Sequence, residues 1–256
     1  MLIGDTAGCN LVDMPGSLAR SLLSLVVPPL CVACREPELS GSPVCPPCAA
    51  AMVAVGPCCR RCGAPLPCPV DACAECRGRR LAFERAWAPL AYTGAARALV
   101  LAVKGRGLSR GASYMADVIA CRAPPAVLGG VLVPVPPHAE RMRRHGQNQA
   151  RELAVALARV TGLPLRDLLV RRPGGLRQVG LERHARRANA RGWIESRGGM
   201  RGGARAVLVD DVYTTGSTLD AGAAALRRAG SGPVTAVCFA RAVRRRPPVA
   251  QSAGGA

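Results

Sequence analysis

Aromatic side chains are scarce in this chain: Phe, Tyr and Trp together make up 3% of its 256 residues. A core must therefore be filled mainly by Ala, Val and Leu, drawn from a hydrophobic content of 49%. A surface that grips single strands by stacking bases on rings has little to use beyond Trp87, Trp193, three Tyr and two Phe. Lysine is scarcer still, since Lys104 stands alone among 35 basic residues. Acids number 16, which leaves a formal charge of +19 carried almost wholly by arginine. Such an excess favours anionic partners. An Ala/Gly/Arg-rich coding bias produces the same total, so the local distribution of charge carries more weight than its sum. Long apolar runs are missing as well. The stretch Leu22–Leu30 is too short to cross a bilayer and contains Pro28-Pro29. Asp5 and Asp13 stand where a secretory signal would be basic, so no membrane span and a cytoplasmic, reducing location are expected.

Cysteine, by contrast, is abundant and clustered: ten of thirteen fall between Cys31 and Cys76. In a reducing compartment such a cluster reads as a set of metal ligands. Cys31-x-x-Cys34 and Cys45-x-x-Cys48 form one set of knuckles, and Cys59-x-x-Cys62 and Cys73-x-x-Cys76 a second. Two thiolate pairs at this spacing make a closed tetrahedral Zn²⁺ site with no open position, hence a structural one. One or two Zn²⁺ are expected. The metal would stabilise a stretch, 31–80, that has no periodic apolar pattern of its own. Interleaved pairing of the knuckles is an alternative, with Cys58 and Cys68 as substitute ligands in the second set. Cys121 and Cys238 lie in apolar segments and are expected to be buried, and Cys9 is a bystander.

From about Leu81 strands and helices alternate, which predicts an α/β fold with a parallel central sheet. Strands are expected over Ala86–Tyr92, Val131–Pro136, Leu168–Val170, Ala206–Val209 and Val234–Phe239. Helices are expected over Gly94–Lys104, Tyr114–Cys121, Gln149–Val160 and Ser217–Ala229. The division is a lead at 1–30, a Cys-rich ribbon at 31–80, the α/β domain at 81–243 and a disordered basic tail at 244–256. The Arg-rich stretch 171–202 has no clean period and reads as a long exposed excursion.

One turn carries the chemistry. Val207-Leu208-Val209 runs into Asp210 and Asp211, then Val212-Tyr213-Thr214-Thr215-Gly216-Ser217-Thr218 and a helical pattern. Ligands of an open parallel sheet sit beyond the carboxyl ends of its strands. Thr214, Thr215, Gly216, Ser217 and Thr218 would offer backbone N–H groups and hydroxyls at a helix N-terminus, where a phosphate is favoured. Asp210 and Asp211, where the strand is expected to end, would accept from ribose hydroxyls or hold a hydrated Mg²⁺. The segment resembles the ribose-5-phosphate loop of type I phosphoribosyltransferases. In that family the two acids meet the ribose 2- and 3-hydroxyls and the turn binds the 5-phosphate. Thr214 stands where 6-oxopurine members of the family carry an acid, which argues against that subclass.

Charge is concentrated between these elements. Residues 137–205 hold sixteen arginines and all three histidines against five acids, a net +11. Two patterns stand out: Val133-Pro134-Val135-Pro136 followed by Arg141, Arg143, Arg144, His145, Gly146, Gln147, Asn148 and Gln149, and then Gln178, Leu181, Arg186, Arg187, Asn189, Gly192 and Trp193. With Lys104, these patterns resemble the ComF family, phosphoribosyltransferase-like proteins associated with DNA uptake competence, which carry a double zinc ribbon at this position. His145 and Gln147 replace the Arg and Phe of that family's usual Arg-Gly-Phe-Asn-Gln loop, while Asn148 and Gln149 are retained.

The resemblance implies a phosphoribosyl pyrophosphate-type ligand carried with Mg²⁺ and glycosyltransferase-class chemistry. Cations aimed at a departing pyrophosphate stabilise its developing charge. Lys104, Arg141, Arg144 and Arg187 are the candidates for that role, with Asn148, Gln149, Gln178 and Asn189 beside them. Lys104, Arg187, Asp210 and Asp211 form the expected catalytic set. A different class, a non-catalytic adaptor that binds single-stranded DNA and meets a competence helicase or ATPase, would use the same basic surface.

Overall fold

The structure is a computed structural model and describes residues 29–106, 109–137, 142–143, 146–172 and 193–243. The expected lead up to residue 28 and the basic tail, with Arg141, Arg144, Gln178, Arg187, Asn189 and Cys9, lie outside the described residues.

A short helix, α1 (Pro46–Ala50), follows the third cysteine of the first set. The α/β domain then runs β1 (Arg85–Trp87), β2 (Leu90–Ala91), α2 (Gly94–Arg106), α3 (Ser109–Arg122), β3 (Val131–Pro134), α4 (Gln149–Thr161), β4 (Leu169–Arg171), β5 (Ile194–Ser196), a 3₁₀ turn at Arg201–Gly203, β6 (Ala206–Tyr213), α5 (Ser217–Arg228) and β7 (Val234–Arg241). The main sheet has the order β1-β7-β6-β3, with β2 also on β7, and every pairing is parallel. The expected α/β architecture with a parallel sheet behind a Cys-rich ribbon is thus the one observed.

Four expectations are corrected. The strand over Ala86–Tyr92 is two strands, β1 and β2, separated at Ala88-Pro89 and laid along successive parts of β7. A proline lacks the N–H that a continuous ladder needs. Leu169–Arg171 belongs to a separate antiparallel pair with Ile194–Ser196 and not to the parallel sheet, so the stretch 171–202 contains a strand. β6 does not stop at Val209 but continues to Tyr213, because β7 pairs with it as far as Tyr213↔Arg241. Finally, Cys121 is exposed on α3, since its apolar neighbours Met115, Ala116 and Ile119 occupy the inward stripe of that helix.

Alternation along the strands sorts the core into two layers. Leu132, Val207, Val209, Val237 and Phe239 pack with Leu99, Met115, Leu153 and Leu157 on the face covered by α2, α3 and α4. Val133, Leu208, Ala236 and Cys238 pack with Leu219, Leu226, Leu169 and Ile194 on the face covered by α5 and the β4–β5 pair.

The ribbon is not an appendage. Cys31, Val44, Cys45 and Met52 sit in the same apolar cluster as α2, α3 and α4, so the first knuckles share the main core. Ala91 N–H donates to Val53 O at 2.8 Å, Val55 N–H to Pro89 O at 3.0 Å and Ala86 N–H to Arg61 O at 2.9 Å. These bonds cover the β1/β2 edge of the sheet, which would otherwise expose unpaired backbone. Gly63 makes the approach possible: its φ is +70°, and a Cβ there would lie 2.7 Å from Ala86 O.

Candidate functional site

Each cysteine set closes on itself. The four sulfurs of Cys31, Cys34, Cys45 and Cys48 lie within 4.8 Å of one another, as do those of Cys59, Cys62, Cys73 and Cys76. Sulfur separations of 3.7 Å (Cys34–Cys45), 3.7 Å (Cys59–Cys76), 3.6 Å (Cys62–Cys73) and 4.0 Å (Cys73–Cys76) are too long for disulfides. They match the edges of about 3.8 Å in a tetrahedron built on Zn–S bonds of about 2.3 Å. Burial opposes ionisation of Cys59, but the backbone N–H groups of Cys62, Arg61 and Cys73 bring its thiol down to about 7. Cys31 is brought to about 6 against the same opposition, through Cys34, Cys45 and Ala33. The closed sets of four sulfurs fit structural zinc. Cys58 and Cys68 belong to neither set.

At the carboxyl end of the parallel sheet, β6 outruns its neighbour. β3 pairs with β6 only as far as Pro134↔Val209, so Asp210 and Asp211 lie just past that edge while still held by β7. Successive residues of a strand face opposite ways. Asp211 points with Val207 and Val209 toward α2, where Lys104 Nζ lies 2.7 Å from its Oδ2. Both partners are largely buried, at 21% and 10% side-chain exposure. Asp210 occupies the other face, next to Cys238 in the β7 register, and its Oδ1 accepts from Asp211 N–H at 2.9 Å. Burial, then the adjacent Asp211 charge, pushes the Asp210 carboxyl up to about 8, with Lys104 acting in the opposite direction.

Arg171, at the end of β4, is a residue the sequence reading did not single out. Its guanidinium is partly buried, feels the Asp210 charge, and donates from Nη2 to Pro136 O at 3.5 Å. Its Nε is buried with no hydrogen-bond partner among the described residues. The acid pair therefore has a cation on each face, Lys104 on one and Arg171 on the other. Strand parity was the available signal for Arg171, but nothing local tied Val170-Arg171 to β6.

The turn that follows β6 has the expected form. Thr214 and Thr215 are exposed, and Thr215 Oγ1 sits 2.9 Å from Ser217 Oγ and accepts from Ser217 N–H at 3.4 Å. Gly216 precedes α5 at φ +75°, and any Cβ there would collide with the Tyr213 hydroxyl. α5 thus begins at the turn and points the positive end of its dipole there, with Ser217 and Thr218 in its first turn.

Asn148 and Gln149 are placed by α4. Asn148 is its N-cap, accepting from Arg151 N–H at 3.3 Å and donating to Val135 O at 3.3 Å. That is a structural use of a residue expected to serve the ligand loop, because a helix N-terminus needs acceptors for its free N–H groups. Gln149 is buried, and its Nε2 has no partner among the described residues.

Three comparisons bear on these features. The family model described as double zinc ribbon domain matches residues 22–77. No curated protein matches the chain. Among solved structures it is similar to glutamine phosphoribosylpyrophosphate (PRPP) amidotransferase from B. subtilis complexed with ADP and GMP, at 22% identity and a TM-score of 0.36. That similarity covers 49% of this chain and 25% of the other, so the chain spans about a quarter of that protein's length. Both cysteine sets lie inside the matched ribbon region, with Cys76 one residue from its end.

Proposed function

We propose that the α/β domain binds the phosphoribosyl part of a phosphoribosyl pyrophosphate-type ligand in the crevice between Lys104, Asp210–Asp211 and the Thr214–Thr218 turn, and transfers that group to an acceptor. The observation that carries the reading is the 2.7 Å pair of Lys104 with Asp211. It sets the chain's one lysine beside two acids at the end of a parallel strand, next to a Gly-bearing turn that opens a helix. The resemblance of Asp210–Thr218 to the ribose-5-phosphate loop supports it independently.

In this reading the turn's N–H groups and hydroxyls hold the 5-phosphate, and Asp210 and Asp211 accept from the ribose hydroxyls. Mg²⁺ carried with the pyrophosphate would be held near the same carboxylates and would screen their charge from it. Lys104 is partnered by Asp211 until the ligand arrives and then faces the diphosphate. The C1–O bond breaks with its electron pair leaving on pyrophosphate, and the acceptor closes a new bond to C1. Arg141, Arg144, Arg187, Gln178 and Asn189 belong to the pyrophosphate side of this proposal. Arg171 adds a cation opposite Lys104. The tie to DNA uptake rests on the ComF resemblance.

The test is calorimetric titration of phosphoribosyl pyrophosphate with Mg²⁺ into wild type and the D210N/D211N double variant. Binding lost in the variant is the expected result. Equal affinity in both would remove the site assignment. If a single-stranded oligonucleotide binds with steep salt dependence and the double variant binds it unchanged, the adaptor function is favoured over transfer.

A further inference from the structure

The second ribbon touches the phosphate turn from two sides. On one side, Arg79 lies three residues past Cys76 and its Nη2 donates to Thr215 O at 3.4 Å. Three residues later, Ala82 N–H donates to Asp220 Oδ1 at 2.7 Å, in the first turn of α5. On the other side stands Arg241, the last residue of β7, which is 4% exposed. Its Nη1 donates to Cys62 O and its Nη2 to Glu75 Oε2 at 3.3 Å. Its guanidinium lies 4.1 Å from the centre of the Tyr213 ring. Tyr213 in turn fills the space against Gly216.

A buried guanidinium is costly unless its partners are held in place. The Cys62 carbonyl sits on the knuckle itself, and Glu75 lies between Cys73 and Cys76, so both partners are fixed only when the second cysteine set is closed. Tyr213 is held between that guanidinium and the turn. Arg79 spends one of five N–H donors on Thr215 O, and a guanidinium matches a phosphate's oxygens in a way a backbone turn alone does not.

We infer that the second ribbon is a working part of the phosphate site: Arg79 is a ligand for the phosphate seated on Thr214–Thr218, and Arg241 with Tyr213 is a strut that fixes the turn against the Cys59/Cys62/Cys73/Cys76 set. This rests on the phosphate-turn reading above.

The experiment titrates ribose 5-phosphate into full-length, zinc-loaded protein as wild type, R79A, R79K and R241M, with zinc counted by native mass spectrometry. R79A is expected to weaken ribose 5-phosphate about tenfold, the loss of one charge-assisted hydrogen bond, with zinc unchanged, and R79K to recover most of the loss. R241M is expected to speed amide exchange at residues 213–218 and to weaken the same ligand. If wild type binds ribose 5-phosphate and R79A binds it equally, the ribbon's role is overturned while the turn stands. If wild type does not bind it, the turn reading falls and this inference with it. Failure of R79K to recover affinity that R79A loses would overturn the ligand role and leave only packing.

Discussion

Replacing Asp210 by Asn should stabilise the free protein while removing its ligand. The reason is the place of Asp210 on β6, half-buried next to the buried Asp211, with its carboxyl raised from 3.8 to about 8. The folded state keeps a proton on this group that the unfolded chain releases near 3.8, so the folded state binds more protons throughout that window. Stability is then lost as pH climbs through the window and levels off above about 8. At pH 7 the shift corresponds to about 4 kcal/mol as a ceiling. Asn keeps the shape and the acceptor for Asp211 N–H but has no proton to lose. The stability difference between D210N and wild type should therefore widen by about 1.4 kcal/mol per pH unit between pH 6 and 7.5, the slope for one proton, and flatten above 8. Urea unfolding followed by far-ultraviolet circular dichroism at fixed zinc measures it. A difference that does not change with pH, or a variant less stable than wild type at pH 8, would refute the reasoning. The same variant should lose Mg²⁺-dependent binding of phosphoribosyl pyrophosphate, so stability and function should move in opposite directions.

Lys104→Met leaves Asp211 buried beside Asp210 with no cation on its face, and should cost about 3 kcal/mol by urea unfolding. K104M/D211N should recover much of that loss, and a coupling energy near zero in this cycle would contradict the ion pair. Plasma emission on reduced protein should find two zinc per chain. Because Cys31 and Cys45 are in the main core, chelation should lower the melting temperature of the whole chain, and a chelated protein whose α/β domain melts unchanged would rule out the shared core.

The cysteine pattern declared the ribbon because metal ligands are local: each Cys-x-x-Cys pair fixes two of four thiolates within one short turn. Which pairs meet was open from spacing, and the structure joins Cys31/Cys34 to Cys45/Cys48 and Cys59/Cys62 to Cys73/Cys76. The strand core Val207–Val209 and the turn through Thr218 were equally legible, since an apolar run, an acid pair and a Gly-bearing turn leave few local conformations. Where β6 ends was not legible. Its last four residues are polar or mixed, and they stay in the strand because β7 pairs with them.

The Gly-bearing form of the Asp210–Thr218 turn, the grouping of the cysteines as metal ligands and the parallel α/β class were legible in the sequence alone, through residue type and short-range spacing. Tertiary structure alone decided who stands around that turn. Lys104 reaches Asp211 from α2, the charges of Arg171 and Asp210 act on each other from separate sheets, and Arg241 bridges Tyr213 to Cys62 across 179 positions of sequence. Those partnerships come from strand parity and from the ribbon closing over a sheet edge. Both are set by long-range pairing, and no window of local sequence contains them.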